Sequence, residues 1–430
     1  MELKKYKLAD IGKVITGKTP STSIAENYAW GTIPFYTPED VAKGLGMMGR
    51  NSRFISETGF EEIASNTISG ESVLVGCIGS DMGNVAYSNI TCATNQQINA
   101  ITQFKNGIEP LYVYYLLSTM KSYFQKIAGS TTTPILPKSV FEEIEIHLPG
   151  MKKQKDVVSI LYALDRKIEL NKQINDNLEE MAKQLYDYWF VQFDFPNEEG
   201  MPYKSSGGEM VWNEKLKREI PKGWEVKHLG DIIETNRGIS YNTSSISGGG
   251  VPMINLASFN VNGTYKDAGI KTYNGSYTKE KVLKPFDLVL CNTQQTAIDF
   301  SKDIIGKAFL VPDVFEGDIV SSHHINTIKT EDYYKAYIAY LSNTSHFHKY
   351  AAGCCSGTNI LGLDFNSFSQ YKMEIPPVYL LEEFQKIIID IVKRESVIIK
   401  ENKTLTKLRD ELLPLLMNGQ ATVNYHLSAC

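Results

Sequence analysis

The stretch NQQINAI at residues 95–101 returns as SHHINTI at residues 322–328, and this pair anchors an internal repeat that organises the whole chain. In both stretches polar residues precede an apolar run, a pattern typical of a turn that leads into a buried strand. Matches that keep their order along a chain indicate duplication, so we predict two copies of one unit. Five further pairs keep that order: KLADI at 7–11 with HLGDI at 228–232, IPF at 33–35 with VPM at 251–253, VLV at 73–75 with LVL at 288–290, TPIL at 133–136 with TNIL at 358–361, and IHLP at 146–149 with MEIP at 373–376.

Each copy mixes short strands with helices. The runs at 72–78 and 286–291 are rich in β-branched and other apolar residues, and Gly, Pro and Asn bound them, which predicts strands. Residues 110–127 carry a helical pattern instead. Because strands and helices do not alternate regularly, we predict an α+β fold rather than a doubly wound parallel sheet.

A long helix is predicted after each copy. Residues 152–190 contain neither Gly nor Pro, and a similar stretch follows Pro376 and Pro377. Helices of about 40 residues reach roughly 60 Å at 1.5 Å per residue. In both stretches the residues spaced by three and four form a heptad-like seam. The seam residues are Leu161, Leu164, Ile168, Asn171, Asn175, Leu178, Ala182, Leu185 and Trp189 in the first helix, and Ile388, Ile391, Glu395, Ile398, Asn402, Leu405, Arg409, Leu412 and Leu416 in the second.

Antiparallel pairing of the two helices along their seams is the predicted arrangement, because a whole copy connects them. The seam positions Asn171, Asn175 and Asn402 would then fix the register at some cost in stability. Pro414 is expected to kink or end the second helix. The alternative is that each helix packs separately on its own domain.

The predicted domain organisation follows from these segments. The Gly-, Pro- and Ser-rich stretch 194–223 indicates a surface connection. We predict a pseudo-twofold internal repeat of two domains with a similar α/β fold, separated by coiled-coil-like helices. The boundaries are 1–150 for the first domain, 151–223 for the first helix and linker, 224–377 for the second domain, and 378–430 for the distal helix and C-terminal tail.

Composition excludes several classes of protein. The 430 residues carry a net charge of −5, so no overall basic character announces a nucleic-acid partner. The six Cys lack CxxC spacing, which argues against a zinc ribbon and favours free thiols in the cytoplasm. The first ten residues lack the apolar core of a signal peptide, and no apolar run is long enough to span a membrane.

A resemblance to a known family rests on the region around the first helix end. The stretches YWFV at 188–191, FDFP at 193–196, PYKSSGG at 202–208 and IPKGW at 220–224 resemble the central conserved region of type I restriction–modification DNA-specificity subunits. LADI at 8–11 and the two long helices are similar as well, so the resemblance covers essentially the whole chain.

The resemblance implies a non-catalytic protein that reads a bipartite double-stranded DNA site. The two copies correspond to target recognition domains, each reading one half-site, and the helices space them and dock two modification (methyltransferase) subunits. Restriction and translocase subunits would complete the assembly. S-adenosylmethionine, ATP and Mg²⁺ would belong to those partners, so we expect no cofactor, metal or catalytic residue in this chain.

Polar residues at matching places in the two copies are the candidate DNA contacts. Side-chain amides can pair bidentately with adenine, whereas hydroxyls and cationic side chains suit phosphates. The alternative interpretation of the residues before the repeated strands is that they cap turns. The candidates are Lys18, Thr19, Asn95, Gln96, Gln97, Ser130, Thr131 and Thr132 in the first copy, and Arg237, Tyr241, His323, His324, Thr358 and Asn359 in the second.

Two other functions compete with DNA recognition. Residues 12–19 match the phosphate-loop pattern GxxxxGK[ST], but Pro20 follows at once where such a loop needs a helix to open. A nucleotide-binding enzyme is therefore the weaker alternative. The other alternative is an interaction scaffold whose helices oligomerise and whose domains bind protein.

Overall fold

The computed structural model describes residues 3–44, 53–79, 82–129, 134–246, 248–294, 299–357 and 360–421. The chain divides into two compact units. Unit 1 comprises Met1–Leu170 and Lys403–Cys430, and unit 2 comprises Asn171–Asn402. Each long helix therefore contributes one part to unit 1 and the other part to unit 2.

Unit 1 contains an antiparallel sheet of four strands in the order β2-β8-β5-β6, a sheet in the order β4-β3-β7, and the antiparallel pair β1-β9. Every residue of β5 and β8 is buried, because both faces of these strands are covered. The strands are β1 (Lys4–Lys7), β2 (Lys13–Thr16), β3 (Ile33–Tyr36), β4 (Phe54–Ile55), β5 (Ser72–Gly76), β6 (Val85–Ser88), β7 (Ala93–Thr94), β8 (Ile98–Thr102) and β9 (Glu145–Leu148).

The helices of unit 1 cover these sheets. Pro110 begins α4 at a position where its missing N–H costs nothing, and Ser56 caps α3 by accepting from the backbone N–H of Gly59. The main core joins Val73, Ile101 and Phe124 from the sheet and its covering helices. The helices are α1 (Leu8–Ile11), α2 (Pro38–Val41), α3 (Glu57–Glu62), α4 (Pro110–Ser118), α5 (Lys121–Ile127), α6 (Lys138–Glu142) and α7 (Met151–Tyr186), of which α7 continues into unit 2.

Unit 2 repeats these sheets. Its four-stranded antiparallel sheet has the order β13-β20-β17-β18, a second sheet has the order β15-β14-β19-β16, and β12 pairs with β23. The hairpin β10-β11 precedes them, and β21-β22 forms a further pair. The strands are β10 (Met210–Asn213), β11 (Arg218–Pro221), β12 (Glu225–His228), β13 (Glu234–Arg237), β14 (Val251–Ile254), β15 (Lys271–Tyr273), β16 (Val282–Leu283), β17 (Leu288–Cys291), β18 (Ala308–Leu310), β19 (Ile319–Ser321), β20 (Ile325–Lys329), β21 (Cys355–Ser356), β22 (Gly362–Leu363) and β23 (Lys372–Ile375).

The helices of unit 2 share one large core with its four-stranded sheet. Thr344 and Asp364 cap α9 and α10 through their side-chain oxygens. The helices are α8 (Asp332–Ser342), α9 (Ser345–Gly353), α10 (Phe365–Phe368) and α11 (Val378–Met417), of which α11 continues into unit 1.

Hydrogen-bond register confirms the predicted duplication at the level of single residues. The N–H of Gly17 donates to the carbonyl of Ile98 at 3.0 Å, and the N–H of Gly238 donates to the carbonyl of Ile325 at 2.9 Å. The pairing of β2 with β8 likewise matches that of β13 with β20. The match therefore extends beyond composition to equivalent backbone contacts.

The structure corrects the alignment of one pair of matched segments in the predicted repeat. The N–H of Leu136 donates to Cys77 and that of Leu363 donates to Asn292, so Leu136 corresponds to Leu363. The sequence comparison of 133–136 with 358–361, which paired Leu136 with Leu361, is wrong by two residues. A short apolar motif cannot fix register without the backbone contacts around it.

The two long helices pack against each other in both units, which confirms their predicted antiparallel pairing. In unit 2, the side-chain N–H of Asn171 donates to Asn402 Oδ1 at 2.9 Å, whereas Tyr186, further along α7, packs against Phe384, earlier in α11. In unit 1, Arg409 Nη1 donates to Asp165 Oδ1 at 2.9 Å. The alternative of two separately packed helices is therefore wrong.

Two expectations about the ends of the helices need correction. Of the two effects expected of Pro414, a kink or the end of the helix, the second is wrong, because α11 continues past Pro414 to Met417. This is possible because a proline removes only one backbone donor, and the last turn of a helix contributes little beyond that bond. The stretch 194–223 is more than a surface connection, since it contains the hairpin β10-β11 and the buried ring of Phe195, which stacks on Trp224 with ring centroids 5.4 Å apart.

Candidate nucleic-acid interface

In unit 1, the loop after β2 meets the turn before β8 and brings three of the predicted contacts together. Thr19 Oγ1 donates to Gln96 Oε1 at 2.9 Å, and Lys18 is exposed beside Thr19 in the chain. We call Lys18, Thr19 and Gln96 the unit 1 patch. It presents a cation, a hydroxyl and an amide on one surface, which are the groups that bind phosphates and base edges.

Glycine lets two backbone segments approach each other closely behind the unit 1 patch. A Cβ atom on Gly17 would lie 2.2 Å from the carbonyl oxygen of Asn95, and one on Gly238 would lie 2.2 Å from that of Ser322. Both copies therefore need glycine at this position, where two backbone segments touch. The sequence places these glycines directly after β2 and β13, so the loop geometry is encoded twice.

The remaining two residues of the turn act locally. Asn95 Oδ1 accepts from the backbone N–H of Gln97 at 3.1 Å, and Asn95 Nδ2 donates to Gln97 Oε1 at 2.9 Å. Asn95 and Gln97 are half-buried, whereas Gln96 is exposed. This geometry agrees with the turn-capping interpretation for Asn95 and Gln97, and it leaves Gln96 available to a ligand.

In unit 2, the equivalent loops bring together a different set of side chains. Arg237 is exposed and its Nε donates to the carbonyl of His323 at 2.9 Å. The ring of His323 lies 5.5 Å from that of Tyr241 and 3.9 Å from that of His324, measured between centroids. We call Arg237, Tyr241, His323 and His324 the unit 2 patch. All four were predicted from the sequence.

The unit 2 patch borders a cavity of about 540 Å³. Thr293 Oγ1 lies 2.9 Å from His324 Nδ1 in its wall. Backbone register aligns Asn292 and Thr293 with Cys77 and Ile78, so the cavity wall is polar in unit 2 where unit 1 has a thiol and an alkyl group. The lining residues are Thr235, Arg237, Asn292, Thr293, His323, His324, Asn326, Ile360, Gly362, Leu363 and Phe365.

Both imidazoles of the unit 2 patch are neutral at neutral pH. Burial, together with the nearby His323, Arg237 and Lys271, lowers the pKa of His324 to about 4. Burial and the charge of Arg237 lower the pKa of His323 as well. A neutral imidazole offers one donor and one acceptor, so these rings suit base edges better than phosphates.

The sequence reasoning missed two equivalent buried asparagines behind the patches, Asn99 in unit 1 and Asn326 in unit 2. Thr16 Oγ1 donates to Asn99 Oδ1 at 2.7 Å, which ties β2 to β8 in unit 1. In unit 2, Asn292 Nδ2 donates to Asn326 and also to the carbonyl of His323 at 3.1 Å. The signal was present, because Asn99 and Asn326 are the same polar residue at the same place in the two repeated strands, each directly after a buried Ile.

Five predicted contacts have no structural account. Ser130, Thr131, Thr132, Thr358 and Asn359 lie outside the described residues.

The phosphate-loop alternative does not fit the fold. Residues 13–16, which would form the loop, are the strand β2, and no helix opens directly after Thr19. The backbone N–H groups therefore bond to β8 instead of converging on a phosphate.

The described ranges contain neither a cluster of metal-binding side chains nor a helix able to span a membrane. Three or more His, Cys, Asp or Glu side chains do not cluster there in a way that could hold a metal ion. No helix in those ranges combines the length and the hydropathy of a membrane span.

Comparison with known proteins agrees with this geometry. Residues 1–180 and 221–410 both match the family described as "Type I restriction modification DNA specificity domain". The MjaIX type I restriction enzyme specificity subunit of Methanocaldococcus jannaschii is 28% identical over 433 residues, covering 97% of this chain and 93% of that protein. The HindI specificity subunit of Haemophilus influenzae is 25% identical, covering 73% and 78%.

A solved structure shares the fold. The crystal structure of the type I restriction–modification system S subunit from M. genitalium aligns with a TM-score of 0.58 at 14% identity, covering 97% of this chain and 96% of that one. The family match over both copies places this duplicated α+β chain among the DNA sequence-recognition subunits of type I restriction–modification systems. The chain belongs to the family of type I restriction–modification DNA specificity domains, which it carries twice.

Proposed function

We propose that this protein reads a bipartite DNA site, with one half-site recognised by each copy of the repeat. The observation that carries the proposal is the equivalent placement of the two patches, which lie at the same end of the register-matched strand pairs β2-β8 and β13-β20 but present different side chains. Two similar domains with different contact residues would read two different short sequences. The proposed target recognition domains are residues 1–150 and 224–377, and the helical segments at 151–223 and 378–430 set their spacing.

The proposed DNA contacts divide by chemistry. Lys18 and Arg237 would neutralise phosphates, because they are the exposed cations of their patches. Gln96 would read an adenine edge through its amide, while His323 and His324 would read base edges as neutral imidazoles. The other proposed contacts are Thr19 and Tyr241 beside them, Asn95 and Gln97 as supports of the turn, and the loop residues Ser130, Thr131, Thr132, Thr358 and Asn359.

The proposed partners are two modification subunits and, in the full complex, restriction and translocase subunits. The chain would dock the modification subunits through its long helices, whose exposed faces carry apolar side chains such as Met181 and Val397. S-adenosylmethionine, ATP and Mg²⁺ would be bound by those partners. Because the proposed substrate is intracellular DNA, we expect the complex to act in the cytoplasm.

Co-expression of this chain with the modification subunit that is encoded beside it tests the proposal. The host genome should acquire N6-methyladenine within one new motif made of two short half-sites and a fixed gap. An assembled and folded complex that adds no methylation, or that methylates a continuous motif, would contradict the proposal.

A further inference from the structure

Trp30 in unit 1 is exposed to an unusual degree. Its side chain is 97% exposed, so no neighbour among the described residues covers the indole ring. Its backbone also adopts a φ of 56°, in the left-handed region that side chains other than glycine's disfavour. Trp30 therefore carries both a strained backbone and uncovered apolar surface, and packing within the chain offsets neither.

The second copy shows that the turn itself does not require a tryptophan. Trp30 stands three residues before Ile33, and Gly248 stands three residues before the equivalent Val251. Gly248 has a φ of 71°, so both copies use the left-handed conformation here. Glycine satisfies this turn without strain in unit 2, whereas unit 1 replaces it with the largest side chain.

Hydrogen bonds hold the turn in place. Tyr28 Oη donates to the carbonyl of Pro20 at 2.7 Å, and the N–H of Gly31 donates to the carbonyl of Tyr28 at 3.3 Å. The N–H of Ser56 donates to the carbonyl of Asn27 at 2.9 Å, which joins the turn to the start of α3. A ligand would therefore meet an indole carried on a backbone turn that is already fixed, and preorganisation of the turn strengthens binding.

The charge around the turn favours a basic protein surface over DNA as the ligand. The two segments that meet here, 24–31 and 56–62, contain four Glu and no Lys, Arg or His. Glu26, Glu57 and Glu61 are exposed, while Glu62 accepts hydrogen bonds from Ser21 and Asn27. DNA phosphates would be repelled by this surface, whereas a protein surface with basic residues around an apolar pocket would be attracted.

We propose that Trp30, on a turn whose joined segments carry the exposed Glu26, Glu57 and Glu61, is a docking knob that inserts into an apolar pocket with a basic rim on the modification subunit. The inference rests on the proposed function, which supplies that partner. Trp is the residue type most often responsible for binding energy at the centre of an interface. The knob exists only in the first copy, so it makes the two modification-subunit contacts unequal.

Affinity for the purified modification subunit tests the knob. Trp30→Gly should weaken binding by about tenfold or more, because one central aromatic anchor is lost. The melting temperature of the isolated chain should not fall, since glycine suits the left-handed turn. Glu57→Lys combined with Glu61→Lys should slow association, and the effect should shrink as salt is added.

The control is Trp212→Ala, because Trp212 is 58% exposed but its indole N–H is bonded to Glu214 in a hairpin of unit 2. Equal losses for Trp30→Gly and Trp212→Ala would overturn the inference, as would a complex that assembles normally with Trp30→Gly yet binds DNA weakly. Tight wild-type binding with unchanged Trp30→Gly affinity would overturn this inference alone. A wild-type chain that binds no modification subunit would overturn the proposed function as well.

Discussion

Replacing Arg409 with Met should destabilise unit 1, because Arg409 is the charge partner of Asp165 between the two long helices. Arg409 Nη1 donates to Asp165 Oδ1 at 2.9 Å, and Tyr115 Oη donates to Asp165 Oδ2 at 2.7 Å. The side chain of Asp165 is 9% exposed and that of Arg409 is 30% exposed. The substitution leaves a largely buried carboxylate with the tyrosine hydroxyl but without its positive charge.

The magnitude follows from this burial. Breaking a fully buried ion pair by removing one partner costs about 3 to 5 kcal/mol. Water can reach the partly exposed guanidinium side of this pair, so we reduce the expected cost for Arg409→Met to about 2 to 3 kcal/mol. Asp165→Asn combined with Arg409→Met should cost less than the sum of the two single changes, by about 1 to 2 kcal/mol, because the two side chains interact directly.

Urea denaturation of the isolated chain, followed through the transition that reports unit 1, measures these costs. The matched control is Arg166→Met on α7, the helix of Asp165; the exposed side chain of Arg166 should change the unfolding free energy by no more than about 0.5 kcal/mol when it is replaced. The reasoning is refuted if Arg409→Met behaves like the Arg166→Met control, or if the double-variant cycle shows no coupling.

Three further predictions concern unit 2. Burial and the charge of Glu179 raise the pKa of Glu395 to about 8 from an ordinary 4.5, so the folded state keeps a proton that the unfolded state loses, and stability should fall as pH rises from 4.5 to 8. Glu395→Gln should remove that part of the pH dependence in denaturation curves measured at pH 5 and pH 8.5, and an equal pH slope in both proteins would contradict the assignment. Gly238→Ala should reduce DNA binding through loop displacement, since its Cβ would meet the Ser322 carbonyl at 2.2 Å, whereas Gly353→Ala, with open space around it, should bind DNA normally. Arg237→Ala should weaken binding to all DNA sequences and lower the slope of log K against log salt by about 1 in a titration, and an unchanged slope would remove Arg237 from the phosphate contacts.

The repeat and the helices could be predicted from the sequence because their signals are periodic or duplicated. Asn171 and Asn402 were predicted to fix the register of antiparallel helices, and the structure shows that they are hydrogen-bonded to each other. The hairpin at 210–221 was missed because it was grouped with the Gly-, Pro- and Ser-rich residues before it, and the burial of Phe195 depends on stacking against Trp224. Tertiary contacts of this kind leave no local pattern.

The candidate site was predicted only in part. Gln96 and His323 were predicted because polar residues precede the equivalent strand in both copies. The sequence did not show that the side chain of Asn95 would be hydrogen-bonded to that of Gln97. Thr293 in the polar cavity wall corresponds to the apolar Ile78 of the first copy, so comparison of the two copies did not indicate a functional residue there. Distances across loops decide these roles, and a sequence alone does not contain them.

Motif mapping with one altered patch at a time tests the central claim most directly. The chain carrying His323→Ala and His324→Ala, and separately the chain carrying Gln96→Ala, would each be co-expressed with the modification subunit, and N6-methyladenine would be mapped across the host genome. The account predicts that each variant relaxes or changes one half of the bipartite motif and leaves the other half and the gap unchanged. Changes in both halves from a single patch, or an unaltered motif in both variants, would contradict it.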